Sequence, residues 1–488
     1  MDTTMEIAPG RLLIDGAWAD ARSGATFTTV NPADESVLAT VAEAGPEDVD
    51  AAVAAARRAL AGPWSTMTAA DRGKILWRMG DLIHERIASL GLLETLDTGK
   101  TLFDSGKIEL PMAAQIFQFY AGAATKLGGR TLASRSDTFA FTLKEPVGVV
   151  AAIVPWNFPF LLASWKVAPA LAAGCTVILK PASQTPLTAL EMGRIGLDAG
   201  LPPGVLQVLP GSGRGCGTAL VKHPGVDKIA FTGSTEVGKS VVREAAGTLK
   251  RVSVELGGKS PNIVFADADT DAALRGAFNG IFYNKGEVCA AGSRLFVERG
   301  IHERFVADLA ARADAIVLGD PRDKATRMGP VVSKSQMDTV LGYVSRGTAE
   351  GARVAAGGRR ASEVNGGKGY FVRPTVFDGV SPQMTIAREE IFGPVLAVLP
   401  FDDAADAVRQ ANATTYGLAA GVWTRDLSKA HKVVRAIQAG TVWVNAYNLY
   451  DPALPFGGFK ESGFGRELGV EALDGYLETK SVWIDLSR

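Results

Sequence analysis

A thiol, a carboxylate and a carboxamide stand in contexts from which they could act on a carbonyl group: Cys289, Glu255 and Asn157. Cys289 lies in Asn284-Lys285-Gly286-Glu287-Val288-Cys289-Ala290-Ala291-Gly292, a polar, glycine-bearing stretch that reads as a loop between a helix and a strand. Most lone cysteines are inert, buried small hydrophobes, but loops carry function more often than cores do. A nucleophilic thiol also needs help toward thiolate, from a base or from local positive potential. Cys175, at the head of an apolar run, fits the inert description. Glu255 closes the run Val252 to Val254 and precedes Leu256-Gly257-Gly258. It is either a solvated strand-end residue or a general base in a cleft; the paired glycines, which allow close approach of backbone or ligand, raise the second reading. Asn157, in Pro155-Trp156-Asn157-Phe158-Pro159, taken alone reads as a turn residue, although its amide could donate to an oxyanion. None of the four histidines (His84, His223, His302, His431) stands near a recognisable motif, so neither a Cys–His hydrolase nor a metal site is expected.

A nucleotide site would lie at the carboxyl ends of parallel strands. The run Gly211, Gly213, Gly215, Gly217 satisfies no register of G-x-G-x-x-G and is as well explained by a flexible loop. Phe231-Thr232-Gly233-Ser234-Thr235-Glu236-Val237-Gly238 passes from an apolar strand through glycine into a helix start. Free N–H groups and the dipole there would favour a pyrophosphate; an ordinary Ser or Thr cap would look the same.

The elements that must position these groups follow from periodicity. Helices are predicted at 51–61 and 69–97. Strands at 147–154, 175–179, 205–209, 228–232 and 252–256 alternate with helices at 160–173 and 187–199, the pattern of a doubly wound parallel sheet. A second alternating block has helices at 271–284, 302–315 and 335–349. Its strands are predicted at 294–298, 395–399, 418–423 and 441–445. The segments 128–143 and 480–486 alternate with no helix beside them, and they pair either with each other or with another subunit.

Bulk properties narrow the class. The 488 residues call for several domains, and 47% hydrophobic with 21% charged residues is ordinary for a globular chain. Lys plus Arg (51) nearly cancels Asp plus Glu (52), so no nucleic-acid partner is expected. No signal peptide or membrane-spanning run is read. Three scattered cysteines fit a reducing compartment, so the expectation is cytoplasmic.

Seven segments, in order, resemble the motifs of the aldehyde dehydrogenase superfamily. They are Pro155 to Pro159, Lys180-Pro181-Ala182-Ser183, Phe231 to Gly238, Glu255 to Lys259, Gly286 to Arg294, Glu389 to Pro394 and Pro455 to Gly458. The likeness spans nearly the whole chain. It implies an α/β fold with a Rossmann-type cofactor domain (1–123 and 147–257), a second α/β catalytic domain (258–461) and a small β oligomerisation element (124–146 and 462–488). A homodimer or homotetramer is implied with it.

The resemblance also implies roles. Cys289 would attack the aldehyde, and Asn157 with the Cys289 N–H would hold the oxyanion. Glu255 would activate water, while Lys166 and Glu467 assist proton movement. Ser234, between Gly233 and Gly238, and Trp156 would meet the pyrophosphate, Glu390 the nicotinamide ribose, Phe392 the ring and Lys180 the adenine ribose. Strict NAD users often carry Glu at the position of Ser183, so NADP is expected to be accepted beside NAD. Glu287 stands where many members have Gln and would raise the thiol pKa if it pointed inward; it is expected to point elsewhere. Phe158, Leu162, Trp165, Val288, Tyr450 and Phe456 would line the substrate tunnel, with Tyr447 nearby. Such a lining suits an aromatic or medium aliphatic aldehyde. A betaine aldehyde is the alternative by cation–π attraction. A semialdehyde is a further alternative, although Trp165 replaces the Arg that anchors succinic semialdehyde. Acylating relatives generally lack the base, and non-catalytic descendants usually lose the nucleophile or the base, so hydrolytic oxidation is favoured over both.

Overall fold

Apolar runs too short to be helices and bounded by glycine or proline become the buried strands of two open sheets. The computed structural model describes residues 5–487. The first sheet has eight strands in the order Ala17–Ala19, Leu12–Ile14, Leu206–Val208, Thr176–Lys180, Val149–Ile153, Lys228–Thr232, Arg251–Glu255 and Gly463–Phe464. Its five middle strands are parallel. Val149–Ile153, Thr176–Lys180 and Lys228–Thr232 are buried at every residue, as strands covered by helices on both faces must be. Helix Pro159–Ala173 is buried all round and stops at Gly174, whose φ of 92° is left-handed. From Val149–Ile153 the chain winds outward one way, then returns to Lys228–Thr232 and winds the other. The strand order therefore reverses between these two strands, which opens a crevice at their carboxyl ends.

The second sheet runs Arg353–Ala356, Thr375–Asp378, Val395–Phe401, Arg294–Glu298, Pro261–Val264, Ala419–Trp423 and Thr441–Val444, all parallel but the first. Pro261–Val264 sits between Arg294–Glu298 and Ala419–Trp423, yet it has only four residues and opens on proline. Proline is tolerated at a strand's first position, but it reads as a breaker in sequence. The helix predicted over 69–97 is two, Ala69–Glu85 and Ile87–Thr98, broken at Arg86 (φ −104°, ψ 10°). No Gly or Pro marks that break; the Arg86 side chain is drawn to Asp198, 2.7 Å away.

The two ribbons left unplaced by the sequence pair with each other. Leu477–Asp485 lies antiparallel to Thr138–Pro146, from Leu477 opposite Pro146 to Asp485 opposite Thr138, and Thr131–Leu132 adds a short third strand. A bidentate ion pair of Arg251 with Glu478 ties this ribbon to the strand that ends in Glu255. The stretch ahead of the ribbon strand lies elsewhere: Gly463 pairs with Glu255 at the edge of the eight-stranded sheet, and Glu467 bridges to Phe456. Among the described residues no helix is long and apolar enough to cross a membrane.

Candidate active site

A cavity of about 630 Å³ opens beside Cys289, and Phe158, Leu162, Trp165, Val288, Tyr450 and Phe456 all line it. The rings interlock: Trp165 and Phe456 meet edge-to-face at 5.3 Å, and Tyr450 and Phe456 at 5.7 Å. Phe278, Phe282, Tyr283, Asp104 and Glu109 also line it and were not anticipated. The first two share a face of helix Thr270–Phe282, four residues apart, a spacing readable as an apolar stripe. Asp104 and Glu109 come from a single π-helical turn, Asp104–Glu109, which no simple periodicity marks.

The Cys289 loop begins with three successive left-handed residues: Asn284 (φ 43°), Lys285 (φ 61°) and Gly286 (φ 71°). Glycine is needed at the last, because a Cβ there would lie 2.1 Å from the Gly393 carbonyl oxygen. Asn157 is brought to this loop. Its Nδ2 donates to the Glu287 carbonyl at 2.9 Å, which leaves the second amide hydrogen uncommitted. The Asn157 carbonyl accepts from Lys100 Nζ at 2.8 Å and from Asn284 Nδ2 at 3.1 Å. Tyr447 Oη donates to the Ala290 carbonyl at 2.9 Å, pinning the residue after the thiol. The Cys289 N–H has no main-chain acceptor among the described residues. Burial, with the carboxyls of Glu390 and Glu255 nearby, pushes the Cys289 thiol up to about 12. Glu287 points away from it: Oε1 accepts the Val332 N–H at 2.9 Å and Oε2 lies 3.1 Å from Lys285 Nζ.

Glu255 ends its strand buried, and neither carboxylate oxygen has a partner among the described residues. A Cβ on Gly457 would come within 2.7 Å of Glu255 Oε1, so this glycine leaves room for the carboxyl. Burial first, then the charge of Glu467, holds the Glu255 pKa well above the ordinary carboxylate range, against the pull of Lys166. Lys166 donates to Thr232 Oγ1 at 2.6 Å and pairs with Glu467. Glu255, Lys166 and Glu467 thus form one electrostatic unit drawn from three distant segments.

The crevice fits a dinucleotide. Ser234 is the N-cap of helix Thr235–Ala245, and its hydroxyl caps no amide, so the first-turn N–H groups are left for an anion. A Cβ on Gly238 would lie 2.4 Å from Leu256, so glycine lets this helix pack close on its strand. Glu390 accepts the Gly258 N–H at 2.9 Å, and burial pushes its carboxyl up to about 7. Trp156 and Phe392 meet edge-to-face at 5.1 Å. Lys180, lowered by burial, donates to the Pro181 carbonyl at 3.0 Å, and Ser183 is half-buried in the following turn. The glycine run at 211–217 supplies a π-helical turn, Gly213–Gly217, capped by Ser212.

Comparison with known proteins agrees with this geometry. The model of the aldehyde dehydrogenase family matches residues 18–482. Aldehyde dehydrogenase, mitochondrial, of Homo sapiens is 48% identical over 487 residues, 99% of this chain and 93% of that protein. The chain belongs to the aldehyde dehydrogenase family. Two solved members are close in fold. The NAD+ complex of the Bacillus cereus aldehyde dehydrogenase has TM-score 0.96 and 50% identity, covering 98% of this chain and 97% of the other. The P. syringae indole-3-acetaldehyde dehydrogenase AldA, in complex with NAD+ and IAA, has TM-score 0.97 and 47% identity, covering 99% and 98%. The fold read from the sequence is therefore that of an NAD-dependent aldehyde dehydrogenase.

Proposed function

We propose that this aldehyde dehydrogenase converts an aromatic or medium-length aliphatic aldehyde to its carboxylic acid through a thioester on Cys289. The observation that carries the reading is a thiol on the wall of an aromatic-lined cavity, with Asn157 held against its loop. The Cys289 sulfur adds to the aldehyde carbon as the thiol gives up its proton to solvent water through the open cavity, the one proton the overall oxidation releases. The oxygen becomes an oxyanion facing the free Asn157 amide hydrogen and the Cys289 N–H. Each such donor contributes about 100- to 1,000-fold in rate. Ser234, Glu390, Lys180 and Phe392 would hold a nicotinamide cofactor, which would supply the two-electron acceptor for the hydride lost from the aldehyde carbon. The acyl group then remains as a thioester. Glu255 takes a proton from water as the water oxygen adds to that thioester. The carbon–sulfur bond breaks, the acid leaves and the thiol is restored. Lys166 and Glu467 hold the charge that builds beside Glu255.

The AldA relative, named for indole-3-acetaldehyde, supports an aromatic substrate. The same rings would hold a quaternary ammonium, so a betaine aldehyde is the second reading. A panel of benzaldehyde, phenylacetaldehyde, hexanal, betaine aldehyde and succinic semialdehyde, read by reduced-nicotinamide absorbance with NAD or NADP, separates them. A flat panel from folded protein would sink the proposal.

NADP acceptance rests on Ser183, which carries no charge to repel a 2′-phosphate, and on the nearby ammonium of Lys180. Ser183→Glu should cut kcat/KM for NADP relative to NAD by at least about tenfold, the worth of ~1.4 kcal/mol of like-charge repulsion. An unchanged ratio would remove Ser183 from the argument.

The paired ribbon exposes Leu132, Phe139, Leu143, Ile484 and, at 68%, Trp483. Exposed apolar side chains on a ribbon of this kind support assembly into dimers or tetramers. Sedimentation should give a dimer or larger for wild type and a smaller species for Trp483→Asp; a wild-type monomer would refute assembly. Three free thiols support a reducing, cytoplasmic setting.

A further inference from the structure

We propose that Lys285 and Glu287 act as a single charge-neutral staple that holds the left-handed turn beneath Cys289 and so positions the nucleophile and the oxyanion amide. The inference rests on the catalytic reading of Cys289 and Asn157 given above. Both side chains are fully enclosed, with relative exposures of 2% and 0%, and their charged groups lie 3.1 Å apart. Neither touches the cavity wall. Each instead ties the loop to a different part of the fold. Lys285 Nζ donates to the Thr98 carbonyl at 3.1 Å, at the C-terminal end of helix Ile87–Thr98, where a cation is favoured. Glu287 Oε1 takes the Val332 N–H at 2.9 Å.

Two non-glycine residues in succession, Asn284 and Lys285, hold positive φ. Such backbone persists only where its surroundings over-determine it, and it gathers at functional sites. The two tethers provide that constraint. What they fix is specific: the Glu287 carbonyl accepts from Asn157 Nδ2 at 2.9 Å and from Asn284 Nδ2 at 3.3 Å. A shift of Glu287 therefore moves the oxyanion amide together with the thiol two residues further on. Lys100, paired with Glu109 in a neighbouring buried ion pair, holds the other side of Asn157 through its carbonyl.

A buried pair behaves asymmetrically on mutation. Removing one partner leaves an uncompensated charge, whereas replacing both can be nearly neutral. The test compares Lys285→Gln, Glu287→Gln and the double variant as full-length holoenzyme. Each single should lose at least about tenfold in kcat while KM for NAD stays within about threefold. The double should return kcat to within about threefold of wild type. Iodoacetamide alkylation of the cofactor-free protein reads the same loop without any aldehyde. Glu287→Gln leaves a stranded cation and should speed alkylation of Cys289. Lys285→Gln leaves a stranded anion and should slow it, and the double should lie between them. A merely structural role would move both singles the same way. Singles with wild-type turnover overturn the proposal, as do singles whose alkylation shifts in one direction. So does a double variant that is unfolded, or no better than the worse single. If wild type oxidises no aldehyde, the alkylation series still decides the staple, so the two failures are told apart.

Discussion

Cys289→Ala is expected to lower aldehyde-dependent nicotinamide reduction by about 10⁴-fold or more while leaving the thermal unfolding midpoint close to that of wild type. The size follows from removing a covalent nucleophile, since the groups that serve it then act on nothing. No substitute thiol is at hand. Cys175 and Cys216 are wholly buried, with thiols pushed by burial up to about 11 and about 12. Neither lines the substrate cavity. The alanine side chain fits the loop, whose shape is set by the left-handed turn and by Tyr447 on the Ala290 carbonyl. The readout is absorbance of the reduced cofactor with the best aldehyde of the panel, alongside a melting curve. Residual turnover within about tenfold of wild type would mean that the thiol is not the nucleophile.

Glu255→Gln should separate the two halves of the reaction. The first turnover needs no water, so about one equivalent of reduced nicotinamide per site should appear quickly. The steady rate after it should be about 10² to 10⁴ times slower, the usual worth of a positioned general base. The pH dependence has a definite sign. A general base works in its ionised form, and burial with the charge of Glu467 raises the pKa of this carboxyl well above its ordinary value. Wild-type steady-state turnover should therefore rise with pH through a range higher than ordinary carboxylates titrate. The Gln variant, with nothing to ionise there, should lose that rise. Rapid-mixing absorbance across pH checks both parts. A variant with no burst, or one that keeps the rising limb, would place the base elsewhere.

The doubly wound sheet was legible because its strands are buried on both faces and so appear as uninterrupted apolar runs; 228–232 comes out with the predicted limits. The second sheet was less legible. Pro261–Val264 is short and begins with a breaker, and Thr375–Asp378 carries Thr and Asp at its ends. The site divides in the same way. Cys289, Glu255 and Asn157 each stand in a local context that hints at chemistry, and the structure brings Asn157 to the Cys289 loop and places Glu255 where its charge raises the thiol pKa. Lys100 and Lys285 give no local hint. Their importance comes from partners 57 and 187 residues away, Asn157 and Thr98, which only the fold supplies. Glu287 could be flagged as a departure, but the companion charge at Lys285 that neutralises it becomes visible only as an ion pair.

The most direct test of the central claim is mass spectrometry of Glu255→Gln quenched in acid during turnover with NAD and the best aldehyde. The account predicts one acyl group on the peptide that contains Cys289, in proportion to the reduced nicotinamide formed. Reduced nicotinamide with no adduct, or an adduct on any other residue, would contradict it.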